Sequence, residues 1–108
     1  MFARIATFVS TDPAADEQLM GQATEIVEPM IREMPGIRGH MELVDRDSGK
    51  SLSISFFDTK ENAQAAEPIF DEKMPKALGD LMQQFSGHRT AVERYEVLVD
   101  ERVPTSVS

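Results

Sequence analysis

The chain has no cysteine, no tryptophan, one tyrosine and two histidines among its 108 residues. The missing thiols exclude disulfides, Cys-ligated zinc and thiol nucleophiles. Imidazole ligands are limited to His40 and His88. His40 and Glu42, two positions apart on one predicted strand, form a possible ligand pair without an evident third partner, so no metal is expected. Basic charge is scarce as well: 11 Lys and Arg stand against 19 Asp and Glu, a formal net charge of -8. Phosphate backbones are bound by clustered Lys and Arg, so no nucleic-acid partner is expected. No apolar run approaches the ~20 residues of a membrane helix. Met1 leads straight into strand-like sequence without a leader pattern, which makes the cytoplasm the expected compartment and a membrane partner unexpected.

What is present is a clear order of elements. The length predicts one domain, burying roughly 65% of its unfolded surface. Phe2 to Val9 alternates and is rich in β-formers, which predicts a first strand. Asp12-Pro13 is a helix start, with Asp as N-cap and Pro in the first turn. Leu19, Ala23, Ile26, Met30 and Met34 then recur at helical spacing as one buried stripe, with Pro29 expected to kink the helix. Pro35-Gly36 ends that helix. Arg38 to Arg46 and Ser51 to Phe57 are predicted strands joined by a turn at Asp47-Ser48-Gly49-Lys50. A second helical region, Asp58 to Phe70 and Met74 to Phe85, is interrupted near Pro68 and Pro75. His88 to Val99 is predicted as the last strand. The order strand-helix-strand-strand-helix-strand predicts an α+β fold of ferredoxin-like βαββαβ type, with helices on one face of an antiparallel four-stranded sheet. Residues 1–99 form that domain and residues 100–108 a C-terminal tail.

Strand alternation sorts side chains onto two faces. One face collects Ala3, Ile5, Thr7, Met41, Leu43, Leu52, Ile54, Phe56 and Tyr95; being the more apolar, it is expected under the helices. The other collects Phe2, Arg4, Phe8, His40, Glu42, Ser53, Ser55, Phe57, Arg94 and Glu96. Aromatics beside charges of both signs suggest a protein interface, so a sheet-to-sheet homodimer is expected through Phe2, Arg4, Glu42, Arg94 and Glu96.

Several residues are candidates for chemistry. His40 could act as a base near neutral pH, or be a satisfied interface histidine. Tyr95, expected under the helices, needs a partner for its hydroxyl or a pocket to present it to. Phe57, Phe70, Met74 and Tyr95 are expected to line an apolar ligand pocket, with ordinary core packing as the alternative. Ser51, Ser53 and Ser55 alternate on one strand without the strained elbow of serine nucleophiles, and are read as β-surface residues.

The helix ending Glu33-Met34-Pro35-Gly36-Ile37, the Ser48-Gly49-Lys50 turn, the strand Ser53-Ile54-Ser55-Phe56-Phe57 and the helix opening Asp58-Thr59-Lys60-Glu61-Asn62-Ala63 together resemble the antibiotic-biosynthesis-monooxygenase-like domains of the dimeric α+β barrel superfamily. The resemblance covers about residues 1–99. It implies two protomers packed sheet to sheet, with a pocket between each sheet and its helices. Some members of that family oxidise polycyclic phenols or anthrones to quinones with O2, using no metal or flavin; others bind and degrade haem. Haem-degrading members carry Asn on strand one, Trp at the end of strand three and His on the next helical region. Ile5, Phe57 and Met74 stand at those positions here, so haem chemistry is not expected. The resemblance therefore implies a cofactor-independent monooxygenase for a small aromatic ligand, with His40 and Tyr95 as catalytic candidates. The alternative is a non-catalytic ligand-binding or assembly module of the same fold.

Overall fold

A computed structural model describes residues 1–102; the rest of the expected tail, 103–108, lies outside the described residues. Strand β1 (Phe2–Val9) leads into helix α1 (Pro13–Arg32), followed by the hairpin β2 (Ile37–Asp45) and β3 (Lys50–Phe57). Short helices α2 (Lys60–Ala65), α3 (Met74–Leu78) and α4 (Asp80–Gln84) follow, with a π-helical turn at Ile69–Lys73 between the first two. Strand β4 (His88–Glu96) closes a four-stranded antiparallel sheet of order β2-β3-β1-β4. No helix among the described residues is long and apolar enough to cross a membrane.

The local signals act as the sequence implies. Asp12 caps α1, its side chain accepting from the Ala15 backbone, and Pro13 fills the first turn, where no amide donor is needed. Thr59 caps α2 by accepting from the Asn62 amide. Gly36 adopts φ 74° in the turn between α1 and β2, and any Cβ there would overlap the Asp58 and Asn62 side chains. Those two side chains bond to each other, Asn62 Nδ2 to Asp58 Oδ1 at 2.8 Å, and Asp58 N donates to Gly36 O at 2.9 Å. One residue type at position 36 thus lets α1, β3 and α2 meet. The second helical region is more broken than expected, because Pro68 and Pro75 each remove a backbone donor and the chain between them takes the wider π turn. β4 stops at Glu96, short of the expected Val99, with one further bond from Val97 N to Met1 O.

The sheet faces are the reverse of the expectation. The helices cover Phe2, Arg4, Ser55 and Phe57, not the more apolar set: Phe57 joins Ile31, Met34, Ala63, Ala66 and Met74 in the core, with Phe2 packed against it. Arg4 reaches helix-side partners Glu67 and Phe70. Arg4, Glu42, Arg94, Glu96 and Phe2 are therefore not on an outward interface. The outward face carries Ile5, Leu52, Ile54 and Phe56, flanked by exposed Met41, Leu43 and Tyr95. The physical reason is that the cations of the mixed face find carboxylates on the helical segment, so burial there costs less than residue polarity suggests.

A second polar anchor ties the open end of the sandwich. Asp16, in the first turn of α1, accepts from Ser10 Oγ (2.6 Å), Ser86 N (2.8 Å), Ser86 Oγ (2.9 Å) and Gly87 N (2.8 Å). Burial alone raises its pKa, but these four bonds outweigh it and hold the carboxyl below its ordinary value. They join α1 to the end of β1 and the start of β4.

Because the folded pKa of Asp16 is depressed, its stabilisation is complete above the unfolded pKa of about 3.9 and is lost as pH falls through the folded value. Asp16→Ala is expected to lower unfolding free energy at pH 7 by about 2–3 kcal/mol. Urea melts of both proteins from pH 7 to pH 3 should converge on acidification. A difference that stays constant with pH contradicts the carboxylate's role.

Candidate functional site

The pleat sets one polar row across the whole helix-facing side of the sheet. Ser55 pairs with His40 on one side and with Arg4 on the other, and Arg4 pairs in turn with Arg94. His40 and Arg94 occupy the two edge strands, β2 and β4. Buried between them are Arg4, 2% exposed, and Ser55, 1% exposed.

At the β2 end, His40 Nδ1 lies 3.0 Å from Ser55 Oγ and Nε2 lies 2.7 Å from Glu42 Oε1. Ser53 Oγ donates to the same Glu42 oxygen at 2.9 Å. Glu42 as carboxylate accepts from Nε2–H, which leaves Nδ1 to accept from the Ser55 hydroxyl. On protonation Nδ1–H donates to Ser55 Oγ instead, so both charge states of the ring are satisfied without movement. The Ser–His–Glu order resembles a nucleophile triad, but Ser55 is buried in a regular strand and no substrate carbonyl could reach it. Ser55 orients the imidazole. Glu42, its side chain 47% exposed, is the accessible end of the chain, and His40 stands behind it at 23%.

This chain opens into a cleft of about 240 Å³ between α1 and the sheet, walled by Met20, Thr24, Val27 and Ile31, with His40 and Glu42 on its floor. Glu28 and Arg32, which pair with each other one helical turn apart, stand at its rim. An apolar wall opposite one hydrogen-bonded base is the composition of a small-molecule site.

The centre of the row is structural. Arg4 Nε donates to Glu67 Oε1 at 3.2 Å, and its guanidinium stacks 3.9 Å from the Phe70 ring centroid. Nη2 is buried 3.8 Å from Asp71 Oδ1 without a hydrogen-bond partner among the described residues. Burial lowers the Arg4 pKa most, and Arg89 adds to that, while Glu67 and Asp71 work against it. Arg94 bonds Glu67 Oε1 through Nε (3.0 Å) and Nη2 (2.9 Å), and Arg89 holds Asp71 Oδ1 at 2.8 Å. Asp71 is accordingly held below its ordinary pKa, chiefly by Arg89.

The expected site residues separate. His40 lines the cleft, but Tyr95 lies on the outward face, half exposed, its hydroxyl donating to Glu93 Oε2 at 2.5 Å. His40 and Tyr95 cannot act on one substrate from opposite sides of the sheet. Phe57 (0% exposed) and Met74 belong to the core with Phe70 packed against them, and none of the three lines the cleft. His88 begins β4 at the exposed edge. Among the described residues no group of three or more His, Cys, Asp or Glu is arranged to hold a metal. The residues that sequence reasoning missed are Ser55, Glu67 and Asp71. A signal for the last two exists: a lone Arg within an apolar central strand needs carboxylates, and Glu67 and Asp71 stand four apart beside Phe70.

No protein-family model matches the chain, and no curated protein matches it. Solved structures do. A dimeric ferredoxin-like protein from an uncultured marine organism superposes with TM-score 0.70 at 16% identity, covering 95% of this chain and 100% of that one. A monooxygenase from the gene ActVA-Orf6 of Streptomyces coelicolor, in complex with nanaomycin D, gives TM-score 0.64 at 17% identity, covering 96% and 92%. SnoaB of Streptomyces nogalater, a cofactor-independent oxygenase, gives TM-score 0.59 at 14% identity, covering 92% and 94%. The chain thus has the ferredoxin-like fold that these structures share.

Arg4→Met leaves Glu67 with Arg94 alone and removes the cation from Phe70. Unfolding free energy by urea denaturation should fall by about 3–5 kcal/mol, with part of the loss restored by Glu67→Leu in the same chain. A loss below about 1 kcal/mol is what an exposed ion pair gives and contradicts the buried clamp.

Proposed function

We propose that the protein is a homodimeric, cofactor-independent monooxygenase acting on a small aromatic molecule with an acidic proton, of phenol or anthrone type. The observation that carries this reading is the Glu42–His40–Ser55 hydrogen-bonded chain on the floor of an apolar cleft. Glu42 takes the substrate proton on its carboxylate, which Nε2–H of His40 and the Ser53 hydroxyl hold in place. The carbanion so formed adds O2 at carbon. Protonation gives a hydroperoxide; loss of the remaining C–H proton then breaks the O–O bond and releases water, leaving the carbonyl oxygen of a quinone. The substrate is oxidised, O2 is reduced, and no further reductant is required. Neighbours of the same fold support the reading: SnoaB is a cofactor-independent oxygenase, and the Streptomyces coelicolor monooxygenase binds nanaomycin D.

The second copy belongs on the outward sheet face. Ile5, Leu52, Ile54 and Phe56 make a contiguous apolar surface there, with Met41, Leu43 and Tyr95 exposed around it. A monomer rarely leaves such a surface uncovered, and the marine neighbour of this fold is dimeric. One observation favours the non-catalytic reading instead. The cleft, at about 240 Å³, lies below the roughly 300–1,000 Å³ of sites for drug-sized ligands.

O2 uptake with dithranol, a hydroxylated anthrone, should exceed the buffer rate and fall at least about a hundredfold in Glu42→Gln and His40→Gln. Tyr95→Phe, on the other side of the sheet, should leave it unchanged. A parent rate equal to buffer across dithranol and naphthol substrates sinks the oxygenase and leaves the binding module.

In sedimentation velocity the parent chain should run as a dimer and Ile54→Glu as a folded monomer. A monomeric parent at about 100 μM, well above the dissociation constant of a specific interface, ends the dimer proposal.

A further inference from the structure

A second cleft, of about 230 Å³, lies at the opposite end of the polar row, between α2 and the edge formed by the start of β1 and the end of β4. Phe2, Ala3 and Ala63 form its apolar floor, Tyr95 stands at the sheet edge, and Lys60, Arg94, Gln64 and Glu96 surround it. Its charge differs from the rest of the molecule. In a chain of net charge -8, two cations from different elements converge on one small opening.

Both cations have unused capacity. Lys60 forms no ion pair among the described residues. Arg94 spends Nε and Nη2 on a single oxygen of Glu67, and that same oxygen also receives Arg4 Nε. Glu67 therefore divides one negative charge between two guanidiniums, and Asp71 divides another between Arg89 and Arg4. Three arginines share two carboxylates. The surplus positive charge lies beside the cleft, with Glu96 the one acid on its wall. A planar guanidinium with free N–H groups and a nearby ammonium match a carboxylate better than any neutral group does.

From these observations we propose that the α2–β4 cleft is a second binding site, for a small organic anion with an apolar body, such as an aromatic carboxylate. The anionic head sits between Lys60 and Arg94, and the body lies on Phe2 and Ala63. The size of the cleft limits the ligand to less than drug-sized molecules. The site is independent of the His40 cleft: three strand spacings of about 4.8 Å put roughly 14 Å between the two ends of the row. It requires neither turnover nor the oxygenase reading.

The test is a titration of the full-length, isotope-labelled protein followed by amide chemical shifts, with benzoate, its neutral isostere benzamide, and inorganic phosphate as probes. Benzoate should shift the amides of Lys60, Ala63, Gln64 and Arg94 saturably, while those of His40 and Glu42 stay still. Benzamide should bind at least about tenfold more weakly. Lys60→Gln, an exposed change at the first turn of α2, should weaken benzoate about fivefold with an unchanged melting temperature. Unsaturable shifts, an unaltered affinity in Lys60→Gln, or benzamide equal to benzoate overturn the site. Phosphate as tight as benzoate removes the apolar part of the proposal and overturns the ligand class. Shifts confined to His40 and α1 place benzoate in the other cleft, which also overturns it.

Discussion

One buried guanidinium organises this molecule. Arg4 lies on the central strand β1, 2% exposed, in the layer where helices meet sheet. A charge in that position is tolerable only with carboxylates beside it, and the chain between α2 and α3 supplies them. Glu67 and Asp71 lie on either side of Phe70, so one short stretch brings two anions and an aromatic face to the same cation. Arg89 and Arg94 on β4 then complete the ring of charges. The broken helical region is the means: Pro68 and Pro75 prevent a straight helix, and the π-helical turn between them lies over the arginine.

That constraint decides which sheet face is which. A face carrying Arg4, Arg94, His40 and Glu42 reads as the outward one, and apolar Ile5, Leu52, Ile54 and Phe56 read as core. The structure inverts both, because polarity along a strand reports only what a residue costs to bury alone, not the partner it will meet. Among the described residues no layer covers the apolar face, which is why a second copy is proposed there.

Most of the fold was legible in the residues, and most of the site was not. Asp12-Pro13, Pro35-Gly36, Gly49 and Asp58-Thr59 act through local backbone chemistry, so the strand-helix order follows from short windows of sequence. The polar row depends on register across three pairs of strands and on the phase of a helical segment interrupted twice by proline. Neither quantity is local. Ser55 therefore looked like a surface serine, although it orients His40 from within the sheet, and Tyr95 looked like a partner of His40 under the helices although it lies half exposed at the other end of the sheet, lining the second cleft. Phe57 shares a face with Arg4, as strand alternation predicts, but that face lies under the helices, so Phe57 is core and not pocket.

Because the fold is shared by proteins at 14–17% identity, it says little about reaction, and function has to be argued from side chains at the site. Here those side chains divide the helix-facing row into three parts with different jobs. The β2 end holds His40 hydrogen-bonded at both ring nitrogens, to buried Ser55 and to the accessible Glu42 carboxylate. The middle holds the Arg4 clamp, which fixes the strand pairing on either side of it. The β4 end holds surplus positive charge next to an apolar floor. The self-association proposed for the opposite face leaves the first two parts untouched and meets the third at the sheet edge, where Tyr95 lines the β4-end cleft. On the proposed reading, substitution at the β2 end changes chemistry without altering the interface, provided Arg4 keeps its two carboxylates.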